Sequence, residues 1–302
     1  MRYNNFAQLI NNIERKDNKF VLAVAGANDA HTLSAVMRAY IEQLIQPILI
    51  GDSTFILSWL EENGFSASSI EIIDEKNPPD MAIRAVNMVK GHNADGIMKG
   101  LIETSQLMHE VLKKENNIRT DRLMSALTIM EFKKYHKLLA LTDTGLCMYP
   151  TLSEKKAIIE NAVEALNKLG ISCPKVAVLA AVEHVNPKMP ETVDAAELVN
   201  MNRDGRISNC IIEGPLSFDI AMDSQAAEIK GVKSIVSGDP DLLVYPNITA
   251  GNIAGKTLGY ASDGLIATLT LGTSVPIVVS SRSSSIEEKY RCIALAAATK
   301  SY

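Results

Sequence analysis

The chain has 302 residues, 47% of them hydrophobic and 22% charged, enough to bury a large core and to form two domains or one large one. Lysine and arginine number 30 against 35 acidic residues, a formal net charge of -5 with no long like-sign run, which excludes the basic stripe of a nucleic-acid surface. Cys147, Cys173, Cys210 and Cys292 are widely spaced, with no CxxC and no nearby histidine. Neither a zinc site nor a disulfide framework is expected, and a reduced cytoplasmic chain fits.

In chain order, MRYNNFAQLINNIERKDNKF has an amphipathic helical pattern with polar interruptions and lacks the regions of a signal peptide. FVLAVAGAND (20–29) reads as a strand running into a polar turn, followed by the helix AHTLSAVMRAYIEQL. The unit recurs as QPILIG with STFILSWLEENG, SIEIID with PDMAIRAVNMVKG, and ADGIMKG with SQLMHEVLKKEN. Short apolar, β-branched runs alternating with helical periodicity predict a parallel sheet covered on both faces. MSALTIMEF and KLLALTDTG are both strand-like and harder to place in one sheet.

SEKKAIIENAVEALNKLG is a helix that Ser153 can cap and Gly170 stops. KVAVLAAV, CIIEGPL and DLLVYP then read as strands. ETVDAAELVNMNRDG, SFDIAMDSQAAEIKG and ITAGNIAGKTLGY read as helices. GLIATLTLG is apolar, VPIVVS is the last strand, and SIEEKYRCIALAAATKSY closes the chain as a helix. The longest apolar runs fall short of the roughly 20 residues of a membrane span. Without a low-complexity linker, the reading places one α/β domain at 1–138 plus 277–302 and a second at 139–276.

AGNIAGKT (250–257) ends like a phosphate-binding loop, but G-x-x-x-x-G-K-[ST] requires glycine where Ala250 stands. Gly251, Gly255 and Gly259 recur on one helix face, where they admit either close packing or a ligand. The five histidines show no HxxxH or HxH spacing, so metal ligation is not expected, and no serine sits in G-x-S-x-G.

Three loops follow strands at the end where open α/β sheets bind ligands. They carry Asn186 and Lys188 between prolines, then Asp219, then Asn247, Thr249 and Asn252; MKGLIETSQ adds Lys99, Thr104 and Ser105. Each of these also reads as an ordinary polar turn. In VVSSRSSSIEEKY (278–290), Ser284 with Glu287, or Ser285 with Glu288, matches a capping box sufficient to start the helix. Ser281 and Arg282 lie just ahead of it, either as surface residues or as an anion site built from a guanidinium and free helix N–H groups.

Taken together, ADGIMKGLIET, LTDTG, VNPKMPETVDA, EGPLSFDIA, VYPNITAGNIAGK and SSRSSSIEE, in this order, resemble the phosphate acetyl- and butyryltransferases, with NPKMPETVDA and MKG closer to the butyryl branch. The resemblance implies two α/β domains of the isocitrate/isopropylmalate dehydrogenase-like fold, an active site in a cleft between them, and a homodimer or higher homo-oligomer. The implied reaction is acyl-CoA + phosphate ⇌ acyl phosphate + CoA on a short acyl group. CoA is then a co-substrate, and no metal or other cofactor is needed.

The resemblance casts Arg282 on the phosphate, Ser281 on the carbonyl and Glu288 as the base for the CoA thiol. His109 stands where the family has a second arginine, which shifts phosphate binding toward Arg282, Lys99 and Thr104. The alternatives are an NAD(P)-dependent hydroxy-acid dehydrogenase of the same fold, or a catalytically inactive CoA-binding subunit.

Overall fold

The computed structural model describes residues 3–13 and 19–300, so parts of the expected first helix and the last two residues lie outside the described residues. The chain begins with α1 (Phe6–Asn11), β1 (Phe20–Ala25), α2 (Ala30–Ile41), β2 (Ile45–Gly51), α3 (Ser53–Glu62), β3 (Glu71–Asp74) and α4 (Pro78–Lys90). Next come β4 (Gly96–Lys99), α5 (Thr104–Leu112), β5 (Ser125–Glu131), β6 (Leu139–Thr142), α6 (Leu152–Lys168), β7 (Lys175–Leu179) and α7 (Pro190–Arg203). The remainder is β8 (Ile211–Leu216), α8 (Phe218–Met222), α9 (Ser224–Ile229), β9 (Leu242–Val244), α10 (Ile248–Ala261), β10 (Leu265–Leu271), β11 (Ile277–Val278) and α11 (Ile286–Ala298).

These elements form two compact units, a terminal one of residues 7–122 with 267–300 and a central one of 3–6 with 123–266. The terminal unit has strand order β3-β2-β1-β4-β11-β10, parallel except that β10 runs antiparallel to β11. Leu22, Val24, Leu49, Ile50, Ile97 and Met98 are fully buried, as continuous apolar runs in a sheet covered on both faces must be.

The central unit has order β5-β6-β9-β7-β8, with β5 antiparallel to β6 and the others parallel. Its core gathers Met130, Leu141, Leu179, Leu216, Ile220, Leu243 and Tyr245. The chain passes between units at 122/123 and 266/267, not at the 138/139 and 276/277 read from the sequence. Thr128, Ile129 and Met130 pair with Leu141, Ala140 and Leu139, which draws β5 into the unit that holds β6.

Two local readings change. Thr151, not Ser153, caps α6 in a reciprocal capping box, its hydroxyl accepting from the Glu154 N–H while Glu154 reaches back to the Thr151 N–H at 2.7 Å. The segment read as one helix at SFDIAMDSQAAEIKG is two. Asp223 adopts φ -135°, ψ 114°, and its side chain caps α9 through the Gln225 and Ala226 N–H groups.

Candidate active site

β1, β4 and β11 are parallel neighbours, so their carboxyl ends share one edge of the terminal sheet, the edge at which ligands bind in open α/β sheets. Lys99 closes β4 opposite Ala25 and is 3% exposed, its Nζ donating to the carbonyls of Gly100 at 3.1 Å and Ile102 at 3.3 Å. The backbone that holds it is close-packed. Gly26, at φ +82°, accepts the Leu101 N–H at 2.7 Å, and a Cβ at position 100 would lie 2.1 Å from the Gly26 oxygen.

Met98 pairs with Val278, so Lys99 and the turn Ser280–Arg282 leave the sheet side by side. Ser281 is exposed, with its hydroxyl 2.9 Å from that of Ser283, and its carbonyl accepts the Ser284 N–H at 3.1 Å to close the turn. The Arg282 guanidinium pairs with Glu103, the N-cap of α5, and exposed Thr104 follows Glu103 as that helix's first residue. Both partners of that pair are 60% exposed, so it contributes at most about 1 kcal/mol and yields readily to a stronger anion.

Lys289, passed over in the sequence, is 4% exposed in the first turns of α11 and donates to the Ser280 hydroxyl at 3.1 Å and the Ser281 carbonyl at 3.5 Å. Its signal was a lysine on the same helix face as Cys292, Ile293 and Ala296, all fully buried. Burial pushes the Lys99 ammonium below its usual range, and Lys289 and Arg282 push it further, against Glu103 and Asp29.

The start of α11 separates the two glutamates. Ser285 is the N-cap and accepts the Glu288 N–H at 3.1 Å, while Ser284 donates to Glu288 Oε1 at 2.6 Å. The expected Ser284–Glu287 box does not form. Glu287 falls one position before the N3 site and turns to α2, where Arg38 donates to both its oxygens at 2.7 Å and lies 3.9 Å above the Tyr290 ring. His109 lies in the last turn of α5.

In the central unit most of the singled-out polar residues hold local structure. Asn186 Oδ1 accepts the Lys188 N–H at 3.0 Å, and the Asn186 backbone exchanges bonds with the Thr192 hydroxyl, leaving the Lys188 side chain exposed. The Ser217 hydroxyl lies 2.5 Å from Asp219 and 2.6 Å from Glu183, and Lys230 bridges the same two carboxylates at 3.0 and 2.9 Å. Ser217 and then Lys230 hold the Asp219 carboxyl down to about 2.

Asn247 caps α10 through the Ala250 N–H at 3.0 Å, Asn252 donates to the Thr144 carbonyl at 3.0 Å, and Thr249 is exposed. The glycine stripe is packing: a Cβ at position 251 would lie 2.2 Å from the Asp143 oxygen, and Gly255 faces Thr144. The phosphate-loop lookalike therefore lies inside α10. Asp143, unremarked in the sequence, is 3% exposed and accepts the N–H groups of Ala126, Gly145 and Leu146, each at 2.7 Å.

The structure thus brings Lys99, Ser281, Arg282 and Lys289 to one sheet edge, with Glu103 and Thr104 alongside. Cations beside an exposed hydroxyl at the carboxyl edge of an α/β sheet are groups that can hold an anion. Residues 75–297, more than half of the chain, match the model of the phosphate acetyl/butaryl transferase family. The chain is 41% identical over 292 residues to the phosphate butyryltransferase of Clostridium acetobutylicum, covering 97% of both. It is 40% identical over 277 residues to the phosphate acetyltransferase of Thermotoga maritima, covering 91% of this chain and 94% of that one.

Among solved structures, a branched-chain phosphotransacylase from Enterococcus faecalis superposes with TM-score 0.83 at 31% identity, covering 93% of this chain and 98% of that one. The chain belongs to the phosphate acetyl/butyryl transferase family and is an acyltransferase.

These findings correct the expected isocitrate/isopropylmalate dehydrogenase-like class. The neighbours are phosphotransacylases and, at TM-score 0.57 and 15% identity, the 4-hydroxythreonine-4-phosphate dehydrogenase of Klebsiella pneumoniae, not isocitrate dehydrogenases. That last likeness is one of fold. Alternating βα segments dictate parallel strands flanked by helices, whereas strand order, which separates fold families, is set by non-local pairing.

Proposed function

We propose that this short-chain phosphate acyltransferase catalyses acyl-CoA + phosphate ⇌ acyl phosphate + CoA at the edge formed by β4 and β11, with Arg282 and Lys99 holding the phosphate. The observation that carries the assignment is the placement of these two cations on adjacent carboxyl ends in a chain of this family. Arg282 offers a planar two-donor fork to phosphate oxygens, and the exposed, solvated Glu103 gives way when the dianion arrives. Thr104, exposed at the first turn of α5, adds a hydroxyl beside the helix's free N–H groups.

In the forward direction a phosphate oxygen attacks the thioester carbonyl carbon, the carbonyl oxygen takes the negative charge, and the C–S bond breaks to release CoA. Ser281 is the donor for that oxygen. A preorganised hydroxyl there supplies about 3 kcal/mol. In reverse, CoA must lose its thiol proton, and Glu288 is the carboxylate assigned to take it. Its Oε1 is occupied by Ser284, which orients the group and leaves Oε2 for the proton.

Lys188 and Thr249 are exposed after β7 and β9 in the central unit. Asn186, Asn247, Asn252 and Asp219 shape the loops that present them. The reading includes a cytoplasmic homodimer. Met148, Tyr149, Ile253 and Tyr260, exposed at 67, 78, 60 and 90%, are apolar surface that a second copy would cover.

The purified chain is expected to release CoA from butyryl-CoA or acetyl-CoA only when phosphate is present. Absence of phosphate-dependent release from every acyl-CoA tried would remove the assignment. The measured chain-length preference over acetyl-, propionyl-, butyryl- and branched acyl-CoA then fixes the acyl group.

A further inference from the structure

We infer that Lys289 is a positioning residue of the phosphate site: from inside α11 it holds the Ser280–Ser281 turn and, with Lys99, forms a two-ammonium socket for the phosphate dianion beneath Ser281 and Arg282. The inference rests on the acyltransferase reading above and names a residue that reading does not contain.

Two features of the geometry support it. Lys99 and Lys289 are 3% and 4% exposed as residues, and among the described residues neither has a carboxylate within salt-bridge distance. Other buried lysines of this chain are paired: Lys137 lies 2.5 Å from Asp241 and Lys155 lies 2.6 Å from Asp194. Burying an unpaired ammonium is costly, and burying two beside each other adds their repulsion, so this arrangement is one that an incoming anion relieves.

The second feature is the count of donors. Each ammonium has three N–H groups. Lys99 spends two on the Gly100 and Ile102 carbonyls, and Lys289 spends two on the Ser280 hydroxyl and the Ser281 carbonyl. One donor on each remains for a ligand. The Ser280 and Ser281 contacts are also the means by which Lys289 acts on chemistry, because they set the turn that presents the Ser281 hydroxyl and the Arg282 guanidinium.

The charges facing Lys99 are Lys289 from α11, Arg282 from the turn after β11, Glu103 from the start of α5 and Asp29 from the start of α2. Lys289 and Arg282 weaken the hold of Lys99 on its proton and the two carboxylates strengthen it. Removing the charge at 289 therefore has opposite effects on affinity and on pH range. Phosphate binding weakens at neutral pH, while Lys99 stays protonated to higher pH, so the alkaline limb of kcat/KM for phosphate moves upward.

The test compares the wild-type chain with Lys289→Gln, which keeps donors toward Ser280 and Ser281 without the charge, and Lys289→Arg, which keeps the charge. Lys289→Gln is expected to raise the KM for phosphate about tenfold, leave the KM for acyl-CoA within about a factor of two, and shift the alkaline limb upward. Lys289→Arg is expected to keep the wild-type limb and recover most of the phosphate KM. Equal loss toward both substrates with an unmoved limb, or a Lys289→Gln enzyme matching wild type, overturns the inference.

Thermal unfolding with inorganic phosphate separates this outcome from failure of the acyltransferase reading. Phosphate raises the melting temperature of the wild-type chain and less so that of Lys289→Gln if the socket exists, whether or not acyl transfer is detected. Equal stabilisation of both overturns it.

Discussion

At the residue scale the proposed reaction divides between Arg282 and Ser281, neighbours to which the proposal gives different demands. In that proposal Arg282 holds an anion present in both ground and transition states, so its loss would fall mainly on binding. Arg282→Ala is expected to raise the KM for phosphate or acyl phosphate by about 10- to 100-fold, with kcat changed less. Ser281 is proposed to serve charge that develops only as the carbonyl is attacked. Ser281→Ala is therefore expected to lower kcat about a hundredfold with substrate KM values nearly unchanged, as read from steady-state CoA release. Glu103→Gln keeps a cap acceptor on α5 while removing the competing charge from Arg282, and is expected to lower the KM for phosphate.

At the element scale, helix starts and close approaches carry the energetics. Thr151 and Glu154 satisfy each other's donors at the head of α6, whereas Ser153 lies inside the first turn. Thr151→Ala is expected to destabilise the chain by about 1 kcal/mol in denaturant unfolding, and Ser153→Ala by clearly less. α10 approaches the Asp143–Thr144 turn so closely that Gly251 has no room for a methyl group. Gly251→Ala is expected to lower stability by about 1 to 3 kcal/mol, because the opposing atom is backbone and cannot swing away. Sequence spacing showed that the stripe existed. What it packs against depends on the pairing of β6 with β9, which no local pattern records.

At the scale of the whole molecule, the amino ends of β6, β7 and β9 are tied by an ion network in which Lys137 and Lys175 reach Asp239 at 2.8 Å and His136 reaches it at 2.9 Å. Burial by itself would raise the Asp239 carboxyl, but the bonds from Lys137, Lys175 and His136 outweigh it and hold the group well below the usual carboxylate range. A carboxylate depressed in the folded state contributes stability that is present above its unfolded value and lost as pH falls below it. Asp239→Asn is thus expected to melt below the wild-type chain at neutral pH, with the gap closing in acid, as followed by thermal unfolding across pH.

What the sequence determined by itself was the set of βα units, most helix ends and the family. These are recorded in local signals: apolar periodicity, cap residues, glycine stops and ordered motifs. Only the tertiary structure decided where the chain divides, that β5 and β6 run antiparallel, and that Glu288 takes the cap while Glu287 turns to Arg38. It alone placed Lys289 beside Lys99, because residues 190 positions apart become neighbours through the pairing of β4 with β11. Strand order and the meeting of buried charges arise from contacts distant in the chain, and such contacts leave no period or spacing in the sequence.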